Sequence, residues 1–248
     1  MTRPARRTWA RSWRLLAGFR FEQADPDGFY RLISEDATAL LGARVPLGGV
    51  LALDVGGGAG YLARALRNAG ARTVLLDADP AELAWRGPPE AGAVIADGTR
   101  LPVGTGAADL VVSSNVLEHA AAPFVLVDEM ARVLRPGGHL WLSFTNWFGP
   151  WGGHETSPWH YLGGERARRR YVARTGHAPK NDFGATLFPL HVGAAVRYVE
   201  RHPLLRALEV RPRYLPDSVR WLVGVPGVRE LLTWNVEVLA RRREAAVE

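Results

Sequence analysis

Cysteine is absent from the 248-residue chain, which excludes disulfide staples, thiolate metal sites and cysteine nucleophiles together. Lysine is almost absent. Lys180 is the only one, so arginine supplies all but one of the 31 basic groups. The net charge of +6 therefore reflects arginine usage along the whole chain, and a surface that tracks nucleic-acid phosphates is not expected. No apolar run reaches the roughly 18 uncharged residues of a membrane span. Trp9, Arg11, Ser12 and Arg14 interrupt any core that a signal peptide would need, so residence in the cytoplasm is expected. The 47% hydrophobic and 23% charged fractions are those of a globular protein, and a chain of this length buries about three quarters of its surface in one well-cored domain.

What is present at the N-terminus is basic and aromatic. Arg3, Arg6, Arg7, Arg11 and Arg14 surround Trp9, Trp13 and Leu16, which fall at i, i+4 and i+7. That spacing predicts a helical extension over residues 1–45, docked as a cap or touching an anionic membrane surface. From Val50 onward short apolar runs alternate with helical stretches, the signature of a parallel sheet between helices. Strands are expected at Val50–Val55, Thr73–Asp77, Ala93–Ala96, Leu110–Ser113 and His139–Phe144. Helices are expected at Leu62–Asn68, Ala81–Trp85 and Phe124–Leu134, the last stopped by Arg135-Pro136-Gly137-Gly138. Residues 146–165 are rich in Trp, Gly, Pro and His without a clear period and read as a functional loop, the start of a lid or acceptor-binding insert over 146–190. A helix at Val192–Arg201, a strand near Leu208–Arg213, a helix around Val228 and a strand near Trp234–Leu239 complete the main domain, 46–248.

The chemistry sits in Leu51–Gly60, LALDVGGGAG. A buried strand ends at Asp54, and Gly56, Gly58 and Gly60 turn the chain into a helix, letting backbone N–H groups approach a ligand. The spacing is G-x-G-x-G, and Tyr61 stands where a nicotinamide or flavin fingerprint needs a small residue. Asp77 closes the next strand, where a carboxylate meets ribose hydroxyls. Asp97-Gly98 follows the third strand.

These residues resemble class I S-adenosylmethionine-dependent methyltransferases. DVGGGAG is similar to their first motif, LLDADP to their second-strand acid, ADGTRLP to their adenine corner, DLVVSSNVLEH to their fourth strand and LRPGGHLWLSF to their fifth. The FRFEQ-x-DP-x-x-FY and GGHE-x-x-x-x-HYLGG segments resemble uncharacterised actinobacterial members. Gly57 departs from the pattern, which more often has a bulkier residue there, with the turn expected to stay intact. The resemblance implies an α/β, doubly wound, Rossmann-like seven-stranded sheet with helices on both faces and an antiparallel last strand. It also implies roles: Asp54, Gly56, Gly58 and Gly60 at the methionine end of the cofactor, Asp77 and Ala78 at the ribose, Asp97 and Gly98 at the adenine, and Ser114 and Asn115 bounding the sulfonium.

A hydroxyl acceptor needs a base unless its own pKa is low. His119, near the methyl-transfer site, is the first candidate and His154 the second; His160 follows, and His191 is read as a helix cap. No metal is expected: His154-Glu155 lacks zincin spacing, and Glu118 with His119, though compatible with a divalent site, is read without one. Trp147, Phe148, Trp151, Trp159 and Tyr161 form either an acceptor pocket or plain core. The D/N-P-P-Y/F signature of adenine amino-group methylation is missing, and cytosine C5 chemistry needs a cysteine. The reading is methyl transfer to an oxygen of a small-molecule or lipid-like metabolite. A nicotinamide oxidoreductase and a non-catalytic cofactor-binding module are the alternatives.

Overall fold

The structure is a computed structural model and describes residues 7–22, 24–88 and 92–244. The apolar runs become seven strands: β1 Leu51–Val55, β2 Arg72–Asp77, β3 Ala93–Ile95, β4 Ala108–Ser114, β5 Leu134–Thr145, β6 Leu205–Pro212 and β7 Asn235–Arg242. Their order in the sheet is β3-β2-β1-β4-β5-β7-β6. The first five run parallel, as the apolar runs implied, and β7 runs antiparallel between β5 and β6, as the family resemblance implied. The chain crosses from β3 over to β4 on the far side of β1, which opens a crevice at the carboxyl ends of β1 and β4. In open sheets of this kind that is where ligands bind.

Eight helices surround the sheet among the described residues: α1 Trp9–Phe19, α2 Pro26–Gly42, α3 Tyr61–Asn68, α4 Pro80–Leu83, α5 Pro123–Val133, α6 Gly164–Thr175, α7 Val192–Arg201 and α8 Val228–Leu232. Leu126, Val127 and Met130 of α5 and Val192, Val196 and Val199 of α7 pack on one sheet face against Leu53, Val111, Leu142 and Val238. Ala37 and Leu41 of α2 and Leu62 and Leu66 of α3 pack on the other, against Ala52, Leu110, Val112 and Trp141. No described helix is long and apolar enough to cross a membrane.

Two elements depart from the sequence reading. β5 begins at Leu134 and runs through Arg135-Pro136-Gly137-Gly138; between Leu134 and His139 it takes five steps while β4 takes two, from Ala108 to Leu110. The bulge absorbs the Pro-Gly-Gly segment, where a missing donor and a left-handed Gly137 break no regular pairing. Helix α6 occupies part of the insert read as loop. Its sequence, GERARRRYVART, buries only Gly164 and Ala167, so it carries no apolar stripe to betray its period.

The N-terminal segment docks as a cap. Thr8 caps α1 by accepting from Arg11 N–H at 3.2 Å, and Asp25 caps α2 by accepting from Gly28 N–H at 2.9 Å, with Pro26 at the first helical position. Leu15 is fully buried, in a cluster with Phe29, Ile33 and Tyr214. Of the five basic residues, Arg3 and Arg6 lie outside the described residues, and Arg7 and Arg11 turn inward. Arg7 pairs with Glu237 of β7, and Arg11 pairs with Asp36 of α2 (Nε to Oδ1, 2.8 Å) while donating to the Arg213 carbonyl at 3.1 Å. Burial lowers the Arg7 pKa, with the Glu237 carboxylate opposing. Trp9 and Trp13 point outward, 53% and 65% exposed.

Because both charges of the Arg7–Glu237 pair are buried, removing one strands the other. Glu237→Ala is expected to cost about 3 to 5 kcal/mol in urea denaturation. A loss below about 1 kcal/mol would show that the cap does not depend on this pair.

Candidate active site

The crevice is built outward from the turn between β1 and α3. Gly56, Gly58 and Gly60 all have positive φ (71, 50 and 78°), a conformation that favours glycine. At Gly56 a β-carbon would come within 2.5 Å of the Val116 side chain, so the turn touches the segment after β4. Gly57 is tighter than the sequence suggests: a β-carbon there would strike Leu75 and lie 2.5 Å from Asp54 Oδ2. The bulkier residue usual at this place has no room, and glycine at 57 is what lets the turn close over Asp54. At Gly58 a β-carbon would meet only Glu82, at 3.8 Å, so this glycine faces open crevice.

Two carboxylates hold the turn. Asp77, at the end of β2, accepts from Gly58 N–H at 2.8 Å and from Asp79 N–H at 2.9 Å, with Ala78 exposed beside it. Each of its oxygens keeps a lone pair for a further donor. Asp54 is fully buried, and neither oxygen makes a hydrogen bond of ordinary geometry. Burial pushes its carboxyl up to about 7, with the Asp77 carboxylate adding and the Ala63 N–H and Arg67 opposing. Across the crevice, Asp97 accepts from both the N–H and the hydroxyl of Thr99 at 2.8 Å, which holds its carboxyl below the usual range. Gly98 packs near Val55 and Leu126.

The other side of the crevice is polar and crowded. Ser114 ends β4, and Asn115 follows with φ of 57°, its N–H bonded to the Ser143 carbonyl at 2.8 Å. Arg213, 3% exposed, donates to Ser114 Oγ (3.0 Å), Asn115 Oδ1 (3.3 Å) and Ser143 Oγ (2.7 Å) and stacks against Trp141 and Tyr214. Asn235 donates to Asn115 Oδ1 at 2.8 Å. Next come Glu118 and His119, in a 3-10 turn at Leu117–His119. Glu118 is 1% exposed and accepts from Thr145 N–H at 2.8 Å. His154 reaches the same place from the turn after β5, its ring 5.1 Å from that of His119. Burial pushes the His154 imidazole down to about 4, against the pull of Glu118.

The remaining sequence candidates are structural. His160 is buried beside Gly149, whose carbonyl lies 3.2 Å from its Nε2. His191 precedes α7 but does not cap it with its side chain. The Val192 and Gly193 N–H groups instead bond to the Glu230 carboxylate at 2.9 and 2.8 Å, and the imidazole lies on Phe148. The paired glycines of the insert, Gly152-Gly153 and Gly163-Gly164, also serve packing. Gly152 would strike the Trp147 carbonyl with a β-carbon, Gly153 the His160 ring and Gly164 the Phe183 ring; only Gly163 has a positive φ, 104°. Trp147 belongs to the core, whereas Trp151, 43% exposed, stacks on Phe19 of α1 and lies 4.8 Å from Trp234.

A family model described as a methyltransferase domain matches residues 53–142, the span from β1 to β5. An uncharacterized methyltransferase of Mycolicibacterium gilvum is 45% identical over 246 residues, covering 95% of this chain and 96% of that protein. A second, from Mycobacterium leprae, is 42% identical over 249 residues, covering 96% and 91%. The chain belongs to this methyltransferase family. A solved S-adenosylmethionine-dependent methyltransferase from Mesorhizobium loti superposes with a TM-score of 0.57 at 20% identity, over 87% of this chain and 99% of that one, and shows the shared Rossmann-like fold.

In this methyltransferase the fold joins the sequence-predicted Asp77 to the glycine turn through Gly58 N–H and brings His119 and His154 together. Sequence reasoning missed Arg213 and Asn235, and it named Glu118 with His119 without bringing His154 to them. No local motif marks the first two, which arrive through the antiparallel edge of the sheet.

The raised Asp54 pKa has a definite sign. Folding disfavours the ionised form, so the penalty is absent below about pH 4, grows as pH rises and is complete above about 7, reaching on the order of 4 kcal/mol. Ligand-free protein should therefore lose stability over that window relative to Asp54→Asn. Parallel denaturation curves from pH 5 to 8 would show that Asp54 is already ionised at low cost.

Proposed function

We propose that the protein transfers a methyl group from S-adenosylmethionine to an oxygen of a small-molecule or lipid-like acceptor. The observation that carries this reading is the meeting of Glu118, His119 and His154 in the crevice that the glycine turn opens, beside Asn115. When bound, the cofactor supplies a methyl group already activated on a sulfonium. The protein's own work is then to align an acceptor lone pair and exclude water, which in favourable cases is worth about 7 to 11 kcal/mol of barrier.

The residues present fit that cofactor. Gly58 leaves open space in the turn, Asp54 lies buried directly beneath it, and Asp77 keeps acceptor capacity after its two backbone bonds. In this reading Asp54, Gly56, Gly58 and Gly60 hold the amino-acid end, Asp77 with Ala78 the ribose and Asp97 with Gly98 the adenine. Ser114 and Asn115, fixed by Arg213 and Asn235, bound the sulfonium side. The acceptor's hydroxyl lies against His119, His154 and Glu118, whose nitrogens and carboxylate draw on its proton. Exposed Trp9 and Trp13, with Arg14 between the helix turns, support contact of a cytoplasmic protein with an anionic membrane surface. The nicotinamide reading is disfavoured by Tyr61, whose ring packs near Tyr30 and whose hydroxyl donates to Asp27 at 2.5 Å.

Calorimetry should show binding of S-adenosylmethionine and S-adenosylhomocysteine and none of NAD(H). Asp77→Ala should weaken that binding about 5- to 150-fold, the cost of about 1 to 3 kcal/mol for unmet hydroxyl donors. Binding of NAD(H) alone would overturn the reading; unchanged affinity in a folded Asp77→Ala protein would remove Asp77 from the site. Once an acceptor is found, His119→Ala and His154→Ala should lower turnover while leaving cofactor affinity nearly unchanged.

A further inference from the structure

Three side chains able to ligate a metal meet at the acceptor side of the crevice from segments about 35 residues apart in sequence, an arrangement that no spacing rule reveals. One ligand atom from each of Glu118, His119 and His154 lies within 4.8 Å of those of the other two. Each of the three keeps one ligating atom that its hydrogen bonds do not occupy. Glu118 Oε1 accepts from Thr145 N–H, while Oε2 is buried and has no partner. His154 Nε2 is also buried and unpartnered. His119 Nδ1 lies 2.8 Å from the Thr186 carbonyl, which can only accept, so Nδ1 carries the proton and Nε2 holds a lone pair. A buried carboxylate oxygen with nothing to bond is costly unless a ligand meets it.

We propose that Glu118, His119 and His154 form a binding site for a first-row divalent transition cation of the Zn²⁺ class. Two imidazoles and one carboxylate suit such an ion better than Mg²⁺ or Ca²⁺, which favour all-oxygen shells. Bonds of about 2.1 Å place donor atoms roughly 3 to 3.5 Å apart, so the three must draw closer than the 4.8 Å within which they now lie to hold the ion. The outer contacts that orient ligands are in place: a backbone carbonyl takes the far N–H of His119, and a backbone N–H holds the far oxygen of Glu118. Three protein ligands leave at least one position open toward the crevice.

This deepens the methyl-transfer reading and rests on it for the identity of the guest. An acceptor hydroxyl oxygen entering the open position would have its pKa lowered, so that its proton leaves to bulk water and the oxygen keeps the electron pair. With the ion in place His119 and His154 act on the acceptor proton through it, as ligands, and the direct draw on the proton described above belongs to the ion-free site. The favoured acceptors carry a phenolic or enolic hydroxyl beside a second oxygen, because such a pair can occupy two positions on one ion.

The test is titration of chelator-treated, full-length protein with Co²⁺, followed by its visible absorption, with Zn²⁺ and Mg²⁺ as competitors. One equivalent of Co²⁺ should bind, be displaced by one equivalent of Zn²⁺ and resist millimolar Mg²⁺. Glu118→Gln and His154→Ala should each weaken Co²⁺ binding on the order of 100-fold, at least the loss that changes in outer contacts alone produce. Circular dichroism melts establish that each variant is folded, and His119→Gln replaces any that is not. Failure of the wild type to bind one equivalent, or unchanged affinity in the folded variants, would overturn the site. Parallel calorimetry with S-adenosylhomocysteine separates the two readings. Nucleoside binding without cation binding removes the metal site alone; variant-sensitive Co²⁺ binding without nucleoside binding removes the methyl-transfer reading and leaves the metal site.

Discussion

The crevice depends on how closely the chain passes over Asp54. β1 carries this carboxyl into the interior, and the turn that follows lies directly above it, close enough that a β-carbon at residue 57 would stand 2.5 Å from Oδ2. Glycine is therefore needed for space at 57 and for backbone conformation at 56, 58 and 60. Asp77 then fastens the outer side of the turn through Gly58 N–H. The result is a rigid loop with a buried acid below and open crevice above, and its shape also sets where Val116, and with it the segment carrying Glu118 and His119, can lie.

The second organising element is Arg213. A buried guanidinium with no carboxylate partner among the described residues is held by two serines, an asparagine and two aromatic faces. Its backbone carbonyl in turn receives Arg11 of the N-terminal helix. Through this one residue the cap, the antiparallel edge and the ends of β4 and β5 are joined in a single polar network. Networks of this kind rigidify as they are satisfied, and in this one, among the described residues, only Asn235 Oδ1 and one Arg11 guanidinium nitrogen are left buried without a partner.

The parallel half of the sheet was legible because its strands are buried on both faces and read as continuous apolar runs, each ended by a helix signal. The glycine turn and its acids were legible because they are local: Asp54, the glycines and Asp77 belong to adjacent elements with fixed spacing. What escaped has a physical reason in each case. α6 is polar around nearly its whole circumference. The run through Pro136 is carried by a bulge that only the pairing partner defines. Gly152, Gly153 and Gly164 look like hinges in sequence, and only their neighbours reveal them as places where backbone meets carbonyl or ring. Glu118 was in view as part of LEH, but its open oxygen depends on where Thr145 N–H and His154 arrive.

The pairing of Arg7 with Glu237 spans 230 residues, and the Arg213 contacts to Ser114 and Asn115 span nearly a hundred. Contacts between such distant segments require large loops to close before they give any return, so they form late in folding. The glycine turn and the first three strands can assemble from neighbouring sequence, whereas the side held by Arg213 and Asn235 stays incomplete until β7 inserts between β5 and β6. During synthesis, the chain would thus pass through a stage in which the glycine-turn side of the crevice exists without the side where Glu118, His119 and His154 meet.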